Sequence, residues 1–271
     1  MYGPLIFAFF GGCQAPEPTI SQLEQGIIYM IPGIEGVNWL TRGSGQALRD
    51  GGVESAIYYY EWRIPMGLLV NLVNYEGNLE EAAELAERIV AYQCEYPGRP
   101  VDMVSYSGGC GLTLMTLEAL PEGVMVRNVI LVQAAVDPKY DLREGLGHVE
   151  GKFVNFYSRW DWLFLGLGTS IFGTIDRHHT VSAGNRGFTL ESLDSRLTDT
   201  PKRSLAVPPK ISTEEMAGAV RAAEELKAKV IQHRWDWGML GTGHYGGHFP
   251  MGSYGWTKEY VLPYLLVDGY E

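Results

Sequence analysis

Ser107 stands where one apolar run gives way to small residues and then to another apolar run, in Val101-Asp102-Met103-Val104-Ser105-Tyr106-Ser107-Gly108-Gly109-Cys110-Gly111-Leu112. That order predicts a strand, a tight turn and a helix. A strained strand-to-helix turn that projects a nucleophile needs small residues two before and two after it, because those side chains are pressed against each other and the sheet. Ser105 and Gly109 meet the requirement. In that geometry the Ser107 hydroxyl projects at the carboxyl end of the sheet, and the Gly108 N–H, at the helix N-terminus, becomes a donor to a developing oxyanion. The chemistry so offered is nucleophilic attack on a carbonyl. The plainer reading of Ser-Gly-Gly is a flexible connection between strand and helix.

Other residue types with chemistry are less well grouped. His178 and His179 adjoin Asp176, but adjacent histidines rarely point the same way and no third ligand follows at a sensible spacing, so no metal site is expected. Cys13, Cys94 and Cys110 are too few and too scattered for a disulfide scaffold or a zinc site. Cys94 and Cys110 fall in segments that read as helices, where a buried free thiol is the simple account.

The elements that must hold Ser107 are legible as alternating runs. Residues 26–31, 54–60, 101–105, 128–134 and 152–157 read as strands buried on both faces, and 229–235 as a weaker sixth. Between them, 78–96 reads as a helix capped by Asn78, with Glu80 and Glu81 in its first turn and Leu85, Ile89 and Tyr92 as its apolar stripe. A second helix at 212–227 opens on a capping box of Ser212 and Glu215, with Met216, Val220, Ala223 and Leu226 facing inward. Residues 256–266 read as a short closing helix, and 185–209 as a polar excursion without periodicity. Strands alternating with helices predict an α/β fold, a mostly parallel central sheet with helices on both faces, spanning 26–271 as one domain.

With its strand, small-residue turn and helix, the chain resembles the α/β-hydrolase family over residues of about 26 to 268. Ile28-Tyr29-Met30-Ile31-Pro32-Gly33-Ile34-Glu35-Gly36 is similar to the strand and loop in which that family often has His-Gly; with Pro32 in place of His, the resemblance implies the Ile34 N–H as the second oxyanion donor. The alternative is an ordinary glycine turn. The family's order of Ser, then Asp or Glu, then His implies Asp161 as the acid, after the strand at 152–157, with Asp137 as its rival. For the base it implies a histidine in Gly243-His244-Tyr245-Gly246-Gly247-His248-Phe249-Pro250; His248 fits the family's Gly-His-Phe-Pro ending, and His244 stays open beside it.

The 271 residues carry 46% hydrophobic and 20% charged side chains, enough for a globular core and too ordered a composition for disorder. A net charge of -11 disfavours nucleic acid as a partner. At the start, the apolar run at 5–10 followed by Gly11-Gly12-Cys13 resembles the end of a bacterial lipoprotein signal, with 1–25 as signal end and tether, membrane anchoring through Cys13 and a place in the cell envelope. No Lys or Arg precedes that run, so a plain terminus and a cytoplasmic protein is the other reading. The resemblance implies a serine hydrolase that cleaves a carboxyl ester of a small-molecule acyl substrate through an acyl-enzyme, without metal or organic cofactor. Apolar stretches at 64–73 and 162–172 stand as candidate walls of an acyl pocket or as core packing. An acyltransferase, or an envelope-anchored binding protein that keeps the fold without turnover, are the competing readings, and the oligomeric state is left open.

Overall fold

Four of the apolar runs, Ile27–Ile31, Val101–Tyr106, Val129–Val132 and Phe153–Tyr157, fold as strands that bury both of their faces between helices. A computed structural model describes residues 17–62, 74–161, 174–176, 180–194 and 213–266. In it β1 (Ile27–Ile31), β2 (Ala56–Tyr59), β3 (Val101–Tyr106), β4 (Val129–Val132), β5 (Phe153–Tyr157) and β6 (Val230–Arg234) form one sheet. The spatial order is β2-β1-β3-β4-β5-β6, with every neighbouring pair parallel. This is an α/β architecture, an all-parallel central sheet with helices on both faces.

The described helices before the closing segment are α1 (Ile20–Leu23), α2 (Trp39–Asp50), α3 (Tyr75–Glu95), α4 (Gly108–Ala119), α5 (Arg143–Gly147), α6 (Ala183–Arg186), α7 (Glu191–Asp194) and α8 (Thr213–Lys229). The two-residue alternation of a strand sorts β1 between two cores. Ile27, Tyr29 and Ile31 face Leu85 and Ile89 of α3 and Leu112 and Leu117 of α4. Ile28 and Met30 face Leu48 of α2 together with Trp256 and Leu262 from the chain's last described segment. Because α4 lies under its neighbours all along, its residues are buried from Gly108 to Leu117 and it has no polar face.

The strand order reverses at β1, which pairs with β2 on one side and β3 on the other. Loops leaving β1 and β3 therefore diverge to opposite faces and open a crevice outside the carboxyl ends of these strands. Ile31 is registered against Ser105, so the loop holding Ile34 and the turn holding Ser107 emerge side by side.

Several local expectations are corrected. Strands β2 and β6 are sheet edges, and Tyr58, Tyr59 and residues 230–233 are only half-buried. The helix expected to start at Asn78 begins at Tyr75 with Asn74 as its cap residue; Asn78 lies inside it and is buried, which moves Glu80 and Glu81 out of the first turn. Cys110 is buried but Cys94 is exposed. On α8, Ala223 and Leu226 face inward whereas Val220 is exposed, and Ser212 lies outside the described residues. The closing helix runs without a break from Tyr254 to Tyr264 but changes pitch, α at Tyr254–Trp256, π at Thr257–Val261 and 3-10 at Leu262–Tyr264.

Helix α2 was not foreseen at all. Its Gly43, Ser44 and Gly45 argue against a helix by propensity, yet Gly45 packs so tightly that a Cβ there would meet Tyr59 Oη at 1.9 Å. Tertiary contact overrides propensity here, and Asn38 caps the start by accepting from the Leu40 and Thr41 amides at 2.8 and 3.4 Å.

Candidate active site

Ser107 links β3 to α4 with φ 53 and ψ -119, a conformation that a residue with a Cβ rarely adopts. Backbone bonds hold it there. The Ser107 N–H donates to the Val132 carbonyl at 3.0 Å, and the Ser107 carbonyl accepts from Ala135 at 3.1 Å and Cys110 at 3.2 Å. The small residues at either side have physical reasons. A Cβ on Gly109 would lie 2.2 Å from the Pro32 carbonyl oxygen, so glycine is what lets the start of α4 approach the end of β1. Ser105 is fully buried, with its hydroxyl 3.4 Å from the Ile130 carbonyl.

His248 meets Ser107. Its Nε2 lies 3.1 Å from Ser107 Oγ, and its Nδ1 lies 2.5 Å from Asp161 Oδ2. With Nδ1–H donating to the carboxylate, Nε2 is left as the acceptor for the serine hydroxyl. All three side chains are buried, at 7% exposure for Ser107, 8% for His248 and 2% for Asp161. Gly108 sits against the β1 loop, where a Cβ would be 3.7 Å from the Ile34 nitrogen and 2.8 Å from Ile34 Cγ2. The backbone of Gly108 thus lies beside Ile34 of the neighbouring loop.

The histidine loop hangs from the sheet by four side chains, one from the carboxyl end of each of β3 to β6. Tyr106 Oη donates to the His248 carbonyl at 2.7 Å, Gln133 Nε2 to Gly247 at 3.2 Å, Ser158 Oγ to Gly246 at 2.6 Å and Trp235 Nε1 to His244 at 2.9 Å. Gln133 has φ 53, the second residue other than glycine with a positive φ among those described. The carboxylate's loop has its own clamp. Asn185 Nδ2 lies within 3.1 to 3.4 Å of the carbonyls of Ser158, Arg159 and Asp161. The sequence pattern makes Asn185 the start of a polar excursion; it is instead a buried residue of α6, and α7 follows within the described part of that stretch.

The rival residues sit elsewhere. His244 is buried between Trp235 and Trp256, ring centroids 6.2 and 5.5 Å away, and its Nδ1 accepts from the Gly246 amide at 3.3 Å. Burial pushes its pKa down to about 4, so it stays neutral in the core. Asp137 accepts the Lys139 amide at 2.8 Å, the behaviour of a turn former, while its own amide is taken by Asp176. His178, His179, Cys13 and the apolar stretches 64–73 and 162–172 lie outside the described residues. Among the described residues no three His, Cys, Asp or Glu side chains gather as a metal site.

One carboxyl near this site had no signal in the sequence. Glu35 follows Ile34, folds back over Gly33 so that a Cβ there would meet Glu35 Oε2 at 2.3 Å, and has its pKa raised by burial against the opposing pull of its own amide, His248 and Asn38.

No protein-family model and no curated protein sequence matches this chain. Solved structures do. A crystal structure of the esterase PE8 superimposes over 80% of this chain and 86% of its own, with a TM-score of 0.44 and 12% identity. RedJ, with a PEG molecule in its active site, matches over 55% of this chain and 74% of its own, with a TM-score of 0.32 and 14% identity. At such identities what function can be read comes from the grouping of Ser107, His248 and Asp161.

Proposed function

We propose that this protein is a serine hydrolase that cleaves a carboxyl ester through an acyl-enzyme on Ser107. The observation that carries the reading is the continuous line from Ser107 Oγ to His248 Nε2 at 3.1 Å and from His248 Nδ1 to Asp161 at 2.5 Å. A hydroxyl alone is a poor nucleophile at neutral pH and becomes a good one when a positioned base takes its proton in the transition state. His248 removes that proton as Ser107 Oγ bonds to the carbonyl carbon. Asp161 holds the ring with Nδ1–H toward itself and stabilises the imidazolium without taking the proton.

The carbonyl oxygen becomes an oxyanion between the Gly108 and Ile34 amides. Such donors act mainly on the transition state, because they are already oriented and need no rearrangement as charge develops. Collapse breaks the bond to the alcohol oxygen, which leaves with the proton from His248. Water then adds to the acyl carbon, giving its proton to the same Nε2, and Ser107 departs as the acid is released. No cofactor enters this sequence. A fluorophosphonate probe tests it: labelling that maps to the peptide carrying Ser107 and is lost in Ser107→Ala supports the reading, and a folded wild type that takes no label sinks it.

A further inference from the structure

Trp39 and Phe249 are 74% and 52% exposed, large apolar surfaces that a folded protein ordinarily covers. Both line an open groove of about 630 Å³, whose other lining residues are Leu40, Gly243, Gly252 and Ser253. That volume is within the ordinary range for a small-molecule site. None of these residues carries a charge, and the Ser253 hydroxyl is already engaged, donating to the Thr242 carbonyl and accepting from the Trp256 amide. Its floor is set by close packing, since a Cβ on Gly252 would meet Leu40 Cδ2 at 2.3 Å. What fits such a lining is neutral and apolar.

Both walls continue directly from the candidate catalytic loops. Phe249 follows His248, with its ring edge-on to the imidazole at a centroid distance of 5.4 Å. Trp39 opens α2, the helix that follows the loop of Ile34. All the exposed aromatic side chains among the described residues, Trp39, Trp160, Trp237, Tyr245, Phe249 and Tyr254, come from this loop and those after β5 and β6.

We propose that the groove between Trp39 and Phe249 receives the alcohol half of the ester, and that the alcohol is bulky and apolar. The inference rests on the hydrolase reading above. The proton that His248 takes from Ser107 must pass from the same Nε2 to the departing alcohol oxygen, so the leaving group has to lie on the imidazole's side of the carbonyl carbon. The carbonyl oxygen is held away from it, at Gly108 and Ile34. A leaving group beside the imidazole runs along Phe249 into the groove, where two aromatic rings and Leu40 remove it from water.

Two ester series separate the two halves. Acetates of methanol, hexanol and benzyl alcohol vary the leaving group, and methyl esters of acetic, butyric and hexanoic acids vary the acyl group. In the wild type kcat/KM is expected to rise about tenfold or more from methyl to hexyl or benzyl acetate. Trp39→Ala and Phe249→Ala together should flatten that rise while the ratios along the acyl series hold, and Phe249→Leu, which keeps apolar area, should restore much of it. A rise that survives both substitutions, or a loss that falls on the acyl series instead, overturns the subsite. Fluorophosphonate labelling of the same wild-type sample separates the two failures: label on Ser107 without an alcohol preference removes the subsite alone, and no label removes the hydrolase reading with it.

Discussion

The side-chain amide of Gln133, at the end of β4, donates to the carbonyl of Gly247 at 3.2 Å and so ties the residue before His248 to the sheet. Gln133 is fully buried and bonds to the peptide that precedes His248 rather than to its ring, which marks it as a positioning residue. Gln133→Leu removes the donor at similar size and leaves a carbonyl unpaired. The expected result is kcat lowered about tenfold with KM changed less than about twofold, and stability reduced by ~1 kcal/mol. Steady-state kinetics on a p-nitrophenyl ester and urea unfolding check the two parts. An equal change in KM would point to a deformed crevice.

The conformation of Ser107 gives a prediction about stability that is independent of turnover. Ser107→Ala and Ser107→Gly should both lose at least about 10³-fold in activity. Both lack the hydroxyl, but only glycine is relaxed at φ 53. Ser107→Gly should therefore be the more stable of the two by ~1 kcal/mol. Urea midpoints in the wrong order would mean that the turn is not strained.

The two histidines of the loop should part company. His248→Ala is expected to lose at least about 10³-fold in kcat/KM, whereas His244→Gln keeps most of it. The His244 substitution shows instead in the pH dependence of stability. The folded state holds this ring neutral down to about pH 4, while the unfolded chain protonates it near 6.5. Between those values the unfolded state binds more protons, so stability falls as the pH is lowered, by on the order of 3 kcal/mol for this group. Urea unfolding at pH 7, 5.5 and 4 should show a shallower decline in His244→Gln. An unaltered slope would mean that the ring titrates freely.

Glu35 carries the opposite sign. Burial raises its folded pKa above 4.5, so here the folded state binds more protons and stability is lost as the pH rises through the folded value. Glu35→Gln removes the ionisable group. The stability of this variant relative to the wild type is expected to be greater at pH 8 than at pH 4, read from paired urea melts. A gain confined to pH 4 contradicts the direction of the shift.

The strands were legible because burial on both faces writes them as unbroken apolar runs, and the turn at Ser107 because its steric demand falls on Ser105 and Gly109, two residues away in each direction. The histidine loop was legible as a segment only. Which of its rings faces Ser107 depends on Trp235 and Trp256, which wall His244 into the core, and no spacing rule carries that information. Tyr106, Gln133, Ser158 and Trp235 were invisible as clamps for a related reason. Each is a lone polar or aromatic residue at a strand end, and for Tyr106, Gln133 and Ser158 the partner lies far along the chain. Asn185 is hidden for the same reason, because it opens a polar stretch without periodicity and its three carbonyl partners are set by the fold. Helix α2 escapes a local propensity argument because Gly45 serves a close contact with Tyr59 of β2, which such an argument cannot weigh.

Four strand ends grip the histidine loop by its peptide carbonyls, and a carbonyl is present whatever side chain its residue bears. Tyr245, 78% exposed, belongs to a peptide whose side chain takes no part in that suspension. Substitution at such a site can therefore alter the texture of the entrance while the imidazole keeps its bearing. If the proposed hydrolase reading holds, selection for a new ester would find this position free to vary while the imidazole stays anchored from below.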